Sequence, residues 1–206
     1  KLNGKPVADF IYLPEVEFSQ EQFIRDVSER FEEKNKVYIV VSEGIKGENG
    51  RYLYDTNTSG KHDAFSHVQL GGVGSCLKKI IIENGITNRI KVMELGVTQR
   101  CAMHYASKTD IEEAYEVGKA AVQYSEEGHT GFMVGMKRAN NNPYKMETYM
   151  VEASRVANNI KYFPKEWIAE GKNNVTQEAI EYIEPLIKGS PEVIIENGLP
   201  KYLTLY

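Results

Sequence analysis

Only two cysteines, Cys76 and Cys101, occur among 206 residues, which excludes a disulfide-built scaffold. A chain of this length buries roughly 70% of its unfolded surface and needs no covalent or metal staple. We read both thiols as free and buried in a reducing compartment, which suits a cytoplasmic protein. Positive charge is the minority sign: 25 Lys and Arg stand against 29 Asp and Glu, a net charge of -4. That balance argues against a nucleic-acid partner, because gripping a phosphate backbone takes a basic face. No run of about 18 apolar residues is present, so no spanning helix and no membrane partner are expected; nor is there an apolar signal segment. The four histidines, His62, His67, His104 and His129, fall in no HExxH or CxxC/H spacing, so no metal site is predicted. There is no Gly-x-Ser-x-Gly elbow or Cys–His pairing to suggest covalent catalysis. Internal repeats and low-complexity tracts are absent too.

What is there reads as an α/β protein. Asp9–Leu13 is a short apolar strand ended by Pro14. Ser19 caps the first helix, with Gln22 as capping-box partner and Phe18–Phe23 as hydrophobic staple. Phe23, Val27 and Phe31 recur at helical spacing. Val37–Val41 is a continuous β-branched run, expected to be a central parallel strand buried on both sides, and it stops at Ser42-Glu43-Gly44. Residues 44–67 turn polar and glycine-rich, a polar insertion with a small hairpin near Arg51–Tyr54. Gly71-Gly72-Val73-Gly74 opens a second helix closed by Gly85. Asn88–Leu95 is the next strand, and the order strand, helix, strand implies a parallel crossover. A third helix starts at Thr109, with Glu112 as capping partner and a buried face of Ile111, Ala114, Tyr115, Gly118, Ala121 and Val122; Gly128 stops it. Two strands, Gly131–Lys137 and Lys145–Val151, form a hairpin across Asn140–Pro143, and a proline-containing tail carries a helix near Gln177–Leu186. The expected fold is an open, largely parallel, Rossmann-like sheet flanked by helices.

In such sheets ligands bind beyond the carboxyl ends of the strands. Glu43 emerges there, either as a solvated strand end or as an acceptor for a polyol. Arg100 follows the strand ending at Leu95, where its planar fork suits a phosphate; an ion pair with Glu94 or Asp110 is the alternative. Arg89 and Lys91, two apart on one strand, share a face, which is solvated or binds an anion. The glycine cluster at 71–74 could present bare N–H groups to an anion, or simply allow a tight helix start; it matches neither the dinucleotide fingerprint nor the P-loop. These residues describe a crevice for an anion and a polyol without naming a reaction.

Longer stretches are more specific. IYLPEVEF at 11–18, IVVSEG at 39–44, QLGGVG at 69–74, LGVTQRCAMHYASKTDIEEAYEVGKAAV at 95–122, FPKEWI at 163–168 and NVTQEAIEYIEPLI at 174–187 resemble the phosphofructokinase family. The resemblance is to its pyrophosphate-dependent and related non-allosteric bacterial branch. It implies phosphorylation of fructose 6-phosphate at the 1-hydroxyl in glycolysis, with Mg²⁺ and either pyrophosphate or ATP as donor. Glu43 then matches the glutamate that contacts the sugar hydroxyls, and Arg100 the arginine that grips the 6-phosphate. Val97 stands where the family usually has a tyrosine or histidine donor. Lys91 stands where the family has an arginine reaching a neighbouring subunit's substrate, with Arg89 as its rival; this implies a homo-oligomer.

The family's donor-binding glycine loops, its Thr-Ile-Asp-x-Asp segment with the catalytic aspartate, and its Met-Gly-Arg motif are not found in these residues, and the chain opens on Lys1 rather than methionine. We therefore expect residues 1–206 to be the carboxyl-terminal, substrate-binding portion of a longer phosphofructokinase. On that reading neither catalytic residues nor Mg²⁺ ligands lie in this chain, and the fragment alone is inactive. The alternative is a non-catalytic regulatory module that binds sugar phosphate.

Overall fold

The computed structural model describes residues 6–53 and 72–201 and divides the chain into two units. The first comprises residues Lys1–Glu94 and Tyr162–Ala179, the second Leu95–Lys161 and Ile180–Tyr206. The fold is α/β.

The first unit begins with a strand–helix–strand element. Strand β1 (Phe10–Tyr12) leads through β2 (Glu17–Phe18) into helix α1 (Gln20–Lys34), and β3 (Ile39–Val41) returns parallel to β1, pairing Phe10 with Ile39 and Tyr12 with Val41. Strand β4 (Lys46–Gly47) pairs in parallel with β2. Helix α1 starts at the predicted cap: Ser19 Oγ accepts from Gln22 N at 3.4 Å. The reciprocal half of the capping box is missing, because the Gln22 side chain turns to Asp26 and Arg25 instead. The staple does form, with the Phe18 and Phe23 rings 5.4 Å apart. Phe10, Tyr12, Phe18, Phe23, Val27 and Ile45 make the core, joined by Leu77, Ile80 and Ile81 of helix α2 (Val73–Glu83). At the far end of α1, Asp9 accepts from Lys34 Nζ and from Tyr38 N, both at 2.9 Å, tying the helix end to the strands. Burial alone would raise the Asp9 carboxyl, but those hydrogen bonds and the charges of Lys34 and Arg30 outweigh it and hold its pKa below the ordinary value.

Two expectations fail here. The Val37–Val41 run is not covered on both sides: Val37, Ile39 and Val41 pack on the core, while Tyr38 and Val40 lie exposed. Strand side chains alternate between faces, and among the described residues only one face of β3 is covered. Nor is Asn88–Leu95 a strand; it runs without a ladder partner among the described residues, and Met93 is 80% exposed. The glycine cluster has a packing explanation. Gly72 caps α2 at a φ of 83°, and a Cβ on Gly74 would come 2.5 Å from Val92 Cγ1. Val92 thus approaches α2 where only glycine leaves room. Of the predicted insertion, residues 44–53 are described, with an antiparallel bridge from Lys46 to Tyr52; residues 54–67, with His62 and His67, lie outside the described residues.

In the second unit, the one-turn helix α3 (Val97–Arg100) precedes α4 (Lys108–Glu126). The cap of α4 is Ser107, not Thr109. Ser107 Oγ accepts from Asp110 N at 3.5 Å and donates to the carbonyl of Leu186 at 2.7 Å, while Thr109 Oγ1 donates to that of Lys188 at 3.2 Å. The hairpin of β5 (Phe132–Asn141) and β6 (Tyr144–Glu152) forms as expected, with longer strands. Tyr144 Oη donates to Glu113 of α4, and burial followed by that carboxylate pushes the phenol up to about 12. The Arg138 guanidinium sits 4.8 Å from the Tyr144 ring and 3.9 Å from that of Tyr182. A further one-turn helix, α5 (Ala153–Val156), follows β6, and α6 (Gln177–Ile183) runs into a 3₁₀ turn at Glu184–Ile187. The predicted buried face of α4 is not buried: Tyr115 is 71% and Val122 58% exposed, and Ala120 alone of its residues is buried.

Candidate functional site

Glu43 stands in the turn immediately after β3, as the sequence placed it. The turn is set by Ser42, whose N–H donates to the Tyr12 carbonyl at 3.1 Å and whose Oγ accepts from Gly44 N at 3.2 Å. Glu43 is exposed and makes no hydrogen bond or ion pair among the described residues. A carboxylate held on a fixed turn with its oxygens free is an acceptor for hydroxyl groups.

Arg89 and Lys91 are brought together. Both line one cavity of about 670 Å³ in the first unit, with Lys36 and Asn35 at the end of α1 and an apolar wall that includes Phe31 and Ile81. The cavity is lined by three cations and no carboxylate, which suits an anion. The spacing of Arg89 and Lys91 predicts one shared strand face, solvated or anion-binding; both line the cavity although the strand is absent. Lys36 was not singled out, and its position just before a strand carried no signal of the approach. Glu43 does not line this cavity.

Val97 and Arg100 belong to the second unit, at the two ends of α3. Arg100 does not leave a strand end but closes a helical turn. It is exposed and makes no ion pair with Asp110, its neighbour in the second unit, among the described residues. The turn is held by Arg100 N donating to Gly96 O at 3.3 Å and by Gly96 N donating to Gln99 Oε1 at 3.0 Å. Cys101, which follows it, is exposed rather than buried, whereas Cys76 is half-buried and burial pushes its thiol up.

A second cavity, about 450 Å³, lies beyond the carboxyl end of β1. Asp26 stands on its wall, accepting from Gln22 Nε2 and Asn173 Nδ2, both at 2.7 Å, and more weakly from Tyr12 Oη at 3.5 Å. Burial first, then the Asp26 carboxylate, raises the Tyr12 phenol above its ordinary value. The recurrence of Ser19, Gln22 and Asp26 at helical spacing was a visible sign of this face; Asn173, 147 residues away from Asp26, was not. These groups satisfy one another, so the cluster reads as a brace between α1 and the 169–174 turn. No group of three or more His, Cys, Asp or Glu side chains is placed to hold a metal ion among the described residues.

Comparison with known proteins adds the family. Residues 3–125 match the family described as Phosphofructokinase. The pyrophosphate–fructose 6-phosphate 1-phosphotransferase of Methylococcus capsulatus (strain ATCC 33009 / NCIMB 11132 / Bath) is 37% identical over 195 residues, covering 95% of this chain and 46% of that protein. Its counterpart of the same name in Halomonas elongata is 36% identical with the same coverage of both, 95% and 46%. The crystal structure of a pyrophosphate-dependent phosphofructokinase from Nitrosospira multiformis superposes with a TM-score of 0.75 at 31% identity, over 94% of this chain and 44% of that one. The chain thus spans a little under half the length of the curated relatives it matches. The family match takes in more than half of its residues, and the chain belongs to the phosphofructokinase family.

Proposed function

We propose that residues 1–206 are the carboxyl-terminal, substrate-binding portion of a phosphofructokinase that phosphorylates fructose 6-phosphate at its 1-hydroxyl, giving fructose 1,6-bisphosphate. Pyrophosphate is the favoured donor, since both relatives carry it in their names; ATP is the other. The observation that carries the reading is Arg100, an exposed guanidinium with no protein carboxylate paired to it among the described residues, in a family whose named relatives act on a sugar phosphate. Arg100 grips the 6-phosphate with its planar fork. Glu43 accepts hydrogen bonds from the sugar hydroxyls, and Lys91, or Arg89 beside it, adds charge to a phosphate in a homo-oligomer. Val97 offers no donor, so the arginine carries more of the contact.

These residues supply orientation and proximity; the base that takes the proton of the 1-hydroxyl lies outside this chain. We assign the ligands of the Mg²⁺ ion to the remainder of the protein. In that whole, which we place in the cytoplasm, β1 and β3 extend into a wider, largely parallel open sheet flanked by helices. The likeness to a solved structure more than twice as long supports this extension.

A coupled assay for fructose 1,6-bisphosphate should detect no turnover by this chain alone with either donor and Mg²⁺, and turnover would overturn the half-enzyme reading. Calorimetric titration with fructose 6-phosphate should give heat for the wild type and less for Arg100→Ala; equal heats would remove Arg100 from the site. Adding the complementary amino-terminal portion should restore activity. Binding that persists without turnover in that mixture favours the regulatory module instead.

A further inference from the structure

Four residues are too few to hold themselves in a helical turn. Helix nucleation fixes several dihedral angles for one hydrogen bond, and isolated helices shorter than about 12 residues are marginal in water. Burial does not help α3, because all of Val97–Arg100 is exposed. Its backbone bonds are Arg100 N to Gly96 O at 3.3 Å and Cys101 N to Val97 O at 2.9 Å. One side chain closes the loop: Gln99 Oε1 accepts from Gly96 N at 3.0 Å. This is the back-reaching half of a capping box without the hydroxyl half, since Gly96 has no side chain to contribute.

We propose that Gln99 is a positioning residue for Arg100. The inference rests on the reading of Arg100 as the 6-phosphate contact. Gly96 is the hinge of the arrangement: its carbonyl holds the Arg100 N–H, and its own N–H is held by Gln99. Fixing Gly96 therefore fixes the backbone from which the guanidinium extends. An arginine presented from a set backbone has less freedom left to lose when it closes on a phosphate. Without the acceptor at position 99, the turn frays and Arg100 samples a wider volume.

The test uses the full 206-residue chain and Gln99→Met, which keeps the length of the side chain and removes the acceptor. Hydrogen exchange at the Gly96 amide should speed up. Chemical-shift titration with fructose 6-phosphate should show binding roughly fivefold weaker, the worth of one ordinary hydrogen bond. The same change in an Arg100→Ala background should have no effect on binding. Adding Gly96→Ser to Gln99→Met should restore affinity, because a serine at the cap holds the first turn from its other side, and a φ of -89° at position 96 admits a side chain. Unchanged affinity in Gln99→Met, where Arg100→Ala does weaken binding, overturns the positioning role and leaves the phosphate reading standing. An equal loss with and without Arg100 also overturns it, since Gln99 would then act through something else. Equal affinity in wild type and Arg100→Ala overturns the phosphate reading, and this role falls with it.

Discussion

Helix α1 places Phe23 and Val27 in a core with Phe10, Tyr12, Phe18 and Ile45, whereas α4, which also carries apolar residues at helical spacing, buries only Ala120. Both helices begin at a serine cap. The difference is in what stands opposite. Around α1 the chain supplies β1, β2 and the Ile45 turn. Around α4 it supplies directional polar contacts: Ser107 on the 186–188 carbonyls, Tyr144 on Glu113, and Arg138 between two tyrosine rings. An amphipathic pattern states that a face seeks cover, and whether it finds any depends on the rest of the polypeptide. On the half-enzyme reading, the bare face of α4 is what the remainder of the protein leaves for itself to cover.

On this contrast, the first unit fails through its core and the second through its polar links. Phe23→Ala should be the most damaging single change, costing about 3–5 kcal/mol as a fully buried ring is lost and a cavity remains. Trp167, the one tryptophan of the chain, lies in the first unit, so its fluorescence in a urea titration reads the loss there. A cost below about 1 kcal/mol would break the comparison at its stronger end. In the second unit, Arg138→Ala should cost about 2 kcal/mol, since it removes two cation–π contacts and the hydrogen bonds to Asn141 and the Tyr182 carbonyl. Faster amide exchange confined to β5, β6 and α4 would localise that loss.

Asp9 offers a smaller and pH-dependent test. Asn at this position keeps an acceptor for Tyr38 N but loses the charge that faces Lys34 and Arg30, a change of about 1 kcal/mol for a pair whose lysine is partly exposed. Because the folded pKa of Asp9 lies below its unfolded value, its contribution is present above the unfolded value, near 3.8, and is lost as pH falls through the folded one. The wild type and Asp9→Asn should therefore differ at pH 6 and converge in the acid range. A difference that stays constant with pH would assign the effect to packing.

Local grammar was legible in the sequence. The Ser19 cap, the Phe18–Phe23 staple, the stops at Gly85 and Gly128, the β5–β6 hairpin and the position of Glu43 all follow from neighbours within a few residues. What could not be read depended on distant partners. Asn88–Leu95 has the composition of a strand and no strand beside it among the described residues; Arg100, expected at its end, closes a helical turn instead. Thr109 looked like a helix cap because the carbonyls of residues 186–188, which engage it and Ser107, are nearly 80 residues away. Arg89 and Lys91 line one cavity, but the shared strand face expected for them is not what brings them there, since the backbone is not a strand.

The gentlest change probes the bare face itself. Tyr115→Ser removes a ring that is 71% exposed and lines only a shallow apolar cavity with Gly118 and Val122. A surface position of this kind should move stability by no more than about 0.5 kcal/mol in the isolated chain. The same substitution at Phe23 would be ruinous, although both aromatics lie on the apolar stripe of a serine-capped helix. In a preparation joined to the complementary amino-terminal portion, Tyr115→Ser should become costly, because a ring that is covered then has to be lost from a packed interface. Thermal unfolding of the two preparations, with and without the substitution, separates the cases. A large penalty in the isolated chain would mean that α4 is already packed, and an absent penalty in the joined protein would mean that its apolar stripe faces solvent there too.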